Sequence, residues 1–215
     1  MEEEELFSDI VGYDDVKERI WSNLKDGQRP VHFLFYGPPG TAKTLFLDAL
    51  ATLPGAKRMI GGGSTKVGTF EVLEEHAPFI LIIDEIDKMK REDQGVLLAL
   101  MESQRLVIHK HNKHIELDLP YTRVFAAANN PKRLTDALLS RFIRLYFRPY
   151  SESEFKQVVV RVLQKEGFDF SFAQSVAQRM WNAGITDVRQ ARQVARLAGT
   201  KDKVQETIDM VIKYR

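Results

Sequence analysis

Two patterns of apolar residues alternate along the first 150 positions of the chain. Three short apolar runs, rich in β-branched and aromatic residues, are typical of buried parallel strands: VHFLFY at 31–36, FILIID at 79–84 and TRVFAAA at 122–128. Four stretches with helical spacing lie before and between these runs: 14–24, 43–51, 70–75 and 93–103. Strands that alternate with helices predict an α/β fold in which helices cover a parallel sheet.

One segment interrupts this alternation. Residues 105–117 (RLVIHKHNKHIEL) alternate between apolar and polar positions around the turn-like pair Asn112 and Lys113. That pattern predicts a β-hairpin between a helix and the third strand.

The pattern becomes purely helical after Pro149. Ser151 and Glu154 have the spacing of a capping box, which predicts the start of a helical tail. Helical stripes then continue through the tail at Val158, Val162 and Leu163, at Phe172, Val176 and Met180, and at Val188, Ala191, Val194 and Leu197. We therefore expect two domains, residues 1–148 and 149–215.

Composition narrows the class of protein. The 215 residues are 44% hydrophobic and 28% charged with a formal net charge of +1, which excludes wholesale disorder and a globally basic surface. Without cysteine, disulfides and thiol catalysis are excluded. No apolar run reaches the roughly 18 residues of a membrane span, and MEEEELF is unlike a secretion signal. We expect a cytoplasmic protein with no membrane partner.

A phosphate-binding motif follows the first predicted strand. YGPPGTAKT lies between a strand and a helix, where a P-loop needs to be. Backbone N–H groups of such a loop wrap phosphates, Lys43 would neutralise the β and γ oxygens of ATP, and Thr44 would bind Mg²⁺. Ala42 replaces the glycine of the strict pattern and fits if its φ is negative. The predicted nucleotide contacts are Gly37, Pro38, Pro39, Gly40, Thr41, Ala42, Lys43, Thr44 and Leu45.

Two acidic residues end the second predicted strand. Asp84 and Glu85 follow four apolar residues, which is the pattern of a Walker B strand. We expect Asp84 to hold Mg²⁺ through water and Glu85 to polarise the attacking water. The two motifs in this order predict an ATP and Mg²⁺ site.

On these motifs the chain resembles AAA+ ATPases, from FSDIVGYDDV to the helical tail. It is most similar to the clade of RuvB, MoxR and the MCM helicases, whose hairpin before sensor 1 matches residues 105–117 and some of which have alanine before the P-loop lysine. The resemblance implies a P-loop NTPase αβα sandwich with a small helical lid domain, and ATP hydrolysis as the activity.

The resemblance also assigns roles in the first domain. Asn130 would be sensor 1, which orients the lytic water, with Asn129 as the alternative. ALLSRF resembles the arginine-finger segment, so Arg141 would reach the nucleotide of the neighbouring subunit, with Arg144 as the competitor. A finger supplied in trans implies a homo-oligomeric ring, which we expect to be a hexamer.

Further roles follow for the two ends of the chain. GITDVRQARQVARLA is similar to the sensor 2 helix, where Arg189 would contact the γ-phosphate, with Arg192 as the alternative. Ile10 and Val11 match the box before the P-loop and would flank adenine, although apolar residues of this kind are often simply core.

Two segments would face the pore of such a ring. Lys66, with Val67 and Gly68, occupies the substrate-gripping loop of the resembling unfoldases, where a lysine suits an anionic polymer. The alternative is a flexible glycine-rich loop. The hairpin tip has three readings: a solvated turn, a grip on phosphate backbone, or a metal site. Its polar residues are His109, Lys110, His111, Asn112, Lys113 and His114.

The substrate remains open between two classes. RuvB-like motors carry a winged helix after the lid, which we expect this chain, ending at Arg215, to lack. Either a partner protein would then supply DNA binding, or the ring would not bind DNA at all. MoxR-like proteins often have a helical insert between the P-loop and Walker B, and the short separation of Thr44 from Asp84 favours the RuvB side. We expect a ring ATPase that moves along or remodels DNA; the alternatives are a protein-remodelling chaperone and a nucleotide-gated scaffold.

Overall fold

The computed structural model describes residues 2–26, 30–110 and 113–214. The chain forms two compact units. The first unit comprises Met1–Leu6, Asp14–Gly37 and Lys43–Phe147; the second comprises Phe7–Tyr13, Pro38–Ala42 and Arg148–Arg215. The expected domain boundary near residue 149 remains a prediction.

A parallel sheet of five strands forms the centre of the first unit. The strands of the chain are β1 His32–Tyr36, β2 Ala56–Ile60, β3 Ile80–Asp84, β4 Arg105–Lys110, β5 Lys113–Asp118, β6 Arg123–Ala128 and β7 Phe142–Tyr146. The sheet has the order β2-β3-β6-β1-β7, and β4 and β5 form a separate antiparallel pair. The helices of this unit are α1 Glu3–Leu6, α2 Asp14–Lys25, α3 Lys43–Ala51, α4 Lys66–His76, α5 Gly95–Ser103 and α6 Asp136–Leu139. The predicted α/β class is confirmed.

Three strands match the predicted apolar runs, and two others were not predicted. β1, β3 and β6 form the middle of the sheet and are buried almost throughout. β2 (AKRMI) and β7 (FIRLY) lie at its two edges; β2 is half-buried or exposed at every position, and β7 is buried only at Phe142. An edge strand needs no continuous apolar run, so neither segment stands out in the sequence.

The interior of the first unit is aromatic on one side of the sheet. The ring of Phe35 lies 5.5 Å from that of Phe46 in α3 and 5.1 Å from that of Phe147. These large side chains pack α3 onto β1.

A buried arginine joins α2 to the sheet. Arg123 is 1% exposed, and its guanidinium donates to the carbonyl oxygens of Asn23 (3.0 Å), Tyr121 (3.0 Å) and Asp26 (2.6 Å). The buried charge is thus surrounded by acceptors, as a buried cation requires.

The hairpin is confirmed, but its predicted turn is wrong by one residue. Lys110 pairs with Lys113 and His109 with His114, so Lys113 begins β5 instead of forming the turn with Asn112. His111 and Asn112 lie outside the described residues. β4 packs against α5.

The helical tail belongs to the second unit. Its helices are α7 Glu152–Lys165, α8 Phe170–Asn182, α9 Val188–Ala198 and α10 Val204–Lys213. The capping box is present: Glu154 N–H donates to Ser151 Oγ, and Ser151 N–H donates to Glu154 Oε2 at 2.8 Å. The predicted stripes are buried except for Leu197, which is 61% exposed because Ala195 and Ala198 occupy the inner face of α9. None of the described helices is long and apolar enough to cross a membrane.

Candidate functional site

Gly37 ends β1 in a position that has no room for a side chain. Its N–H donates to the carbonyl of Ala128 at 3.3 Å, and its φ is +148°. A Cβ there would lie 2.2 Å from the carbonyl oxygen of Phe147. Only glycine fits, so the chain leaves the sheet at one fixed point.

Lys43 and Thr44 begin α3, as the P-loop pattern predicts. Lys43 is 6% exposed, and its ammonium donates to the Gly37 carbonyl at 2.8 Å. Thr44 is half-buried. Ala42 is buried and does not have a positive φ, so alanine fits where the strict P-loop pattern has glycine. Leu45 is half-buried in the first turn of α3.

The middle of the loop belongs to the second unit. Gly40 has φ +77°, and a Cβ there would lie 3.4 Å from Cα of Asp187, which caps α9. The hydroxyl of Thr41 donates to the carbonyl of Pro38 at 3.2 Å, while Pro39 is exposed. The turn therefore packs closely within its unit and presents a bend rich in backbone groups.

The segment with Ile10 and Val11 is also part of the second unit. Ile10 is 2% exposed and Val11 is half-buried. The same segment is held by α7, because Lys165 Nζ lies 2.6 Å from the carboxylate of Asp9 and 3.2 Å from Ser8 Oγ. A role for Ile10 and Val11 beside adenine remains a prediction.

Asp84 lies at the carboxyl end of β3 with both oxygens oriented. Oδ1 accepts from the N–H of Glu85 at 3.0 Å, and Oδ2 accepts from Arg58 Nη2 at 2.6 Å. The carboxylate of Asp84 and the hydroxyl of Thr44 are hard oxygen donors of the kind that Mg²⁺ prefers. In the described part of the chain no three His, Cys, Asp or Glu side chains form a metal site. This donor set fits a Mg²⁺ ion whose other ligands are phosphates and water.

Glu85 has an unusual backbone conformation. Its φ of +52° is in the left-handed region, which side-chain-bearing residues seldom adopt. Its carboxylate pairs with Lys88 Nζ at 2.8 Å. A Cβ on Gly61 would lie 2.4 Å from the Glu85 carbonyl oxygen, so glycine at the end of β2 permits this turn.

The structure gives the side chain of Asn130 a local role. Its Oδ1 accepts from the N–H of Lys132 at 3.2 Å, which caps a short 3-10 turn. Its own N–H donates to Asp87 Oδ2 at 2.9 Å, and Asp87 is 7% exposed. Asn129 is exposed and directly follows β6. The choice between Asn130 and Asn129 as sensor 1 remains open.

Three of the four arginines with a predicted or alternative role pair with an acidic residue: Arg141, Arg189 and Arg192. Arg141 is exposed, and its Nε donates to Glu102 Oε1 in α5 at 3.1 Å. Arg189 lies 2.8 Å from Asp187, and Arg192 lies 2.9 Å from Glu166. Arg144 is exposed on β7. These pairs show where the arginines rest in a single chain.

Lys66 does not lie in a flexible glycine-rich loop, which was the alternative to a role in gripping substrate; that role stays a prediction. Lys66 begins α4, and its N–H donates to Asp93 Oδ1 at 2.6 Å. Thr65 caps the helix by accepting from the N–H of Gly68 at 3.1 Å. The side chain of Lys66 is exposed. In the hairpin, His109 and Lys110 end β4 and Lys113 begins β5, while His111 lies outside the described residues.

The family model of the ATPase family associated with various cellular activities (AAA) matches residues 33–150, more than half of the chain. The chain belongs to this family. The match covers α3, which begins at Lys43, and β3, which ends at Asp84 directly before Glu85. Membership in the AAA family implies nucleotide binding and ATP hydrolysis.

Curated relatives of this AAA protein include replication factor C subunits. It is 27% identical to replication factor C subunit 3 of Blastobotrys adeninivorans over 96% of this chain and 61% of that protein. It is 27% identical to replication factor C small subunit 1 of Pyrobaculum aerophilum over 92% of this chain and 60% of that protein. The chain thus spans about 60% of the length of these relatives.

Solved structures show the same AAA fold. A mutant of RuvB from Thermotoga maritima has a TM-score of 0.71 at 21% identity, covering 95% of this chain and 72% of that one. The Holliday junction branch migration motor RuvB of the same organism has a TM-score of 0.67 at 21% identity, covering 93% and 70%. At this identity the likeness shows the fold, a P-loop NTPase core with a parallel sheet and C-terminal helices.

Three residues beside the predicted site of this AAA protein were missed in the sequence. Arg58 lies on an unpredicted edge strand, and Gly61 is the first of three consecutive glycines with no sign of which one is packed. Asp87 follows the Walker B pair and drew no prediction from the sequence. The close packing of Gly61 on Glu85 and the bond from Asn130 to Asp87 are contacts between distant segments.

Proposed function

We propose that this chain is a Mg²⁺-dependent ATPase that works in a homo-oligomeric, hexameric ring and acts on DNA. One observation carries the proposal. Lys43 and Thr44 follow the glycine that ends β1, while Asp84 and Glu85 end β3 in the same parallel sheet. Ligands bind at the carboxyl ends of such strands.

Bound nucleotide would replace contacts that the site residues make within the chain. Phosphate oxygens would replace the Gly37 carbonyl as acceptors of the Lys43 ammonium, and charged oxygens make the stronger hydrogen bonds. Thr44 and Asp84 would hold Mg²⁺, which would supply positive charge against the phosphate oxygens. Glu85 would polarise water once its carboxylate leaves Lys88.

Support for DNA as the substrate comes from the relatives. Replication factor C subunits share about a quarter of their residues with the chain, and the structural neighbour named as a branch migration motor has the same fold. The basic residues Lys110 and Lys113 of the hairpin, together with Lys66, are the proposed contacts to phosphate backbone.

A second candidate has its own support. The chain is 34% identical to a putative 26S proteasome regulatory subunit homolog of Methanocaldococcus jannaschii, over 63% of this chain and 42% of that protein. That relative favours a protein-remodelling ATPase of the kind that MoxR-like proteins represent.

The test of hydrolysis compares Glu85→Gln with Lys43→Ala. The first should bind a fluorescent ATP analogue as the unmodified chain does yet release almost no phosphate, whereas the second should lose binding. Binding is measured by fluorescence and turnover by phosphate release, with and without Mg²⁺. Full turnover in Glu85→Gln would contradict the role of this residue. Turnover in EDTA would contradict the proposed dependence on Mg²⁺.

The test of the substrate measures ATP turnover with single-stranded, duplex and four-way-junction DNA at low and moderate salt. The proposal expects stimulation that salt weakens and that the double variant Lys110→Ala, Lys113→Ala reduces. Lys156→Ala on α7 is the control for loss of a surface charge. Turnover that no DNA changes would favour the protein-remodelling candidate.

A further inference from the structure

We infer that Arg58 is a positioning residue for the metal: it bridges Asp84 and α3, and so fixes the two elements that carry the proposed Mg²⁺ ligands. The inference rests on the proposed function, since it requires Mg²⁺ with nucleotide at Thr44 and Asp84. Arg58 lies on β2, an element to which neither nucleotide motif belongs.

The guanidinium of Arg58 joins two carboxylates from different elements. Nη2 donates to Asp84 Oδ2 at 2.6 Å, and Nη1 donates to Asp48 Oδ1. The side chain is 34% exposed, against 22% for Asp84 and 46% for Asp48. A guanidinium has donors on separate nitrogens in a rigid plane, so one side chain bonds both partners at once.

Each end of the bridge is tied to a proposed ligand. Asp48 follows Thr44 by one helical turn, so both residues lie on the same face of α3. At the other end, Asp84 is itself the ligand, and its second oxygen is fixed by the N–H of Glu85. Arg58 therefore restrains the spacing between the start of α3 and the end of β3.

The electrostatics keep the bridge intact. Burial favours the neutral guanidinium, but hydrogen bonds and charges from Asp48 and Asp84 outweigh it and raise the pKa of Arg58. Without this cation, the two carboxylates would share one region of the surface with no positive charge between them. Like charges repel, so the Asp84 carboxylate would lose its single orientation.

Removal of Arg58 has two opposite effects on a nearby cation. Loss of a positive charge alone would tighten Mg²⁺ binding, whereas loss of the orientation of Asp84 would weaken it. Arg58→Lys separates them, because lysine keeps the charge but its single ammonium cannot span the two carboxylates as the fork does. The positioning role predicts weaker metal binding in Arg58→Lys and Arg58→Gln alike.

The experiment measures binding without turnover. Affinity for a fluorescent ADP analogue is determined in EDTA, and Mn²⁺ is then titrated into the ADP complex and followed by electron paramagnetic resonance. Both Arg58 variants should bind Mn²⁺ about tenfold more weakly, the scale on which residues behind metal ligands act, with ADP affinity in EDTA unchanged. Asp48→Asn, which leaves the contact with Asp84, should fall between them and the unmodified chain.

Controls separate this role from stability and from the proposed function. Arg196→Lys alters an arginine of α9 that pairs with Glu166, and it should leave Mn²⁺ and ADP binding unchanged. Thermal unfolding identifies any variant that fails to fold, and Asp48→Asn then carries the test. Unchanged or tighter Mn²⁺ binding in Arg58→Lys overturns the positioning role. If the unmodified chain binds no ADP with Mn²⁺, the proposed function itself fails, and this role fails with it.

Discussion

At the scale of single residues, close contacts explain positions that look ordinary in the sequence. Gly61 and Gly63 belong to the same run of three glycines, yet a Cβ on Gly61 would meet the Glu85 carbonyl at 2.4 Å while one on Gly63 would meet nothing within 4 Å. The two glycines therefore differ in what they allow near the predicted catalytic carboxylate. Gly61 permits the backbone of Glu85 to adopt its left-handed conformation against β2.

Gly61→Ala should impair hydrolysis more than binding. The new methyl group would displace Glu85, and such overpacking destabilises proteins by about 1–3 kcal/mol. We expect the turnover number to fall by about tenfold or more, the rate equivalent of at least 1.4 kcal/mol, with ADP affinity nearly unchanged. Phosphate release and ADP fluorescence measure the two effects. Gly63→Ala is the matched control, and equal losses in both variants would contradict the argument.

His32 should make stability depend on pH. Burial, aided by the charge of Arg123, lowers the pKa of His32 from 6.5 to about 4, and its Nδ1 accepts from the N–H of Val124 at 3.0 Å. The unfolded chain takes up a proton near pH 6.5 and the folded chain only near pH 4, so stability falls as pH drops through this window. Between pH 7.5 and pH 5 the loss from this group is about 2 kcal/mol.

Denaturant unfolding of the unmodified chain and of His32→Asn at these two pH values measures that loss. The variant keeps an acceptor for Val124 but cannot titrate, so its stability should depend less on pH. The control is His76→Gln, which replaces an exposed histidine at the end of α4. Equal pH dependence in His32→Asn and the unmodified chain would show that His32 is not the titrating group.

At the scale of elements, burial on both faces decided what could be predicted. β1, β3 and β6 were predicted because a central parallel strand needs an apolar residue at nearly every position, and α3 because its glycine-rich start marks the helix. The edge strands β2 and β7 carry polar residues on open faces and gave no such pattern. Arg58 was missed because it lies on one of these edge strands and because its two partners, Asp48 and Asp84, are distant from it in sequence.

The start of α7 offers a direct test of a predicted element. Ser151→Ala removes the hydroxyl that accepts from Glu154 N–H, and loss of such a cap costs about 1 kcal/mol. Hydrogen bonds from Arg148 lower the pKa of Glu154 to about 2, so the acidic half of the box stays charged. Denaturant unfolding should show this cost for Ser151→Ala and almost none for Ser153→Ala, at the second residue of the helix. A neutral Ser151→Ala would mean that Glu154 alone caps the helix.

At the scale of the whole molecule, a ring makes a prediction that a single chain cannot satisfy. Arg141→Ala keeps the P-loop but lacks the proposed finger, and Lys43→Ala keeps the proposed finger but lacks the P-loop lysine. Each should be almost inactive alone, because fingers contribute roughly 10³-fold or more in rate. Randomly mixed, they should recover about a quarter of the unmodified turnover, since a quarter of the interfaces pair an intact P-loop with an intact finger.

Phosphate release from the mixture measures this recovery. In the control mixture Arg144→Ala replaces Arg141→Ala. If Arg144→Ala is inactive by itself and only its mixture with Lys43→Ala recovers turnover, Arg144 is the finger. No recovery in either mixture, with oligomers present by light scattering, would contradict a finger supplied in trans. In a single chain Arg141 pairs with Glu102, and assembly of the ring would have to replace this contact by one with the neighbouring subunit's nucleotide.

The strand order also has a consequence for how the protein is made. Among the described strands, β1 pairs with β6 and β7 alone, so β1 waits for partners that the ribosome adds near the end of the first unit. Gly37 reaches its place only when Ala128 and Phe147 have both left the exit tunnel. A nascent chain with this strand order exposes its aromatic β1 strand until β6 and β7 emerge, a period in which chaperones have something to bind.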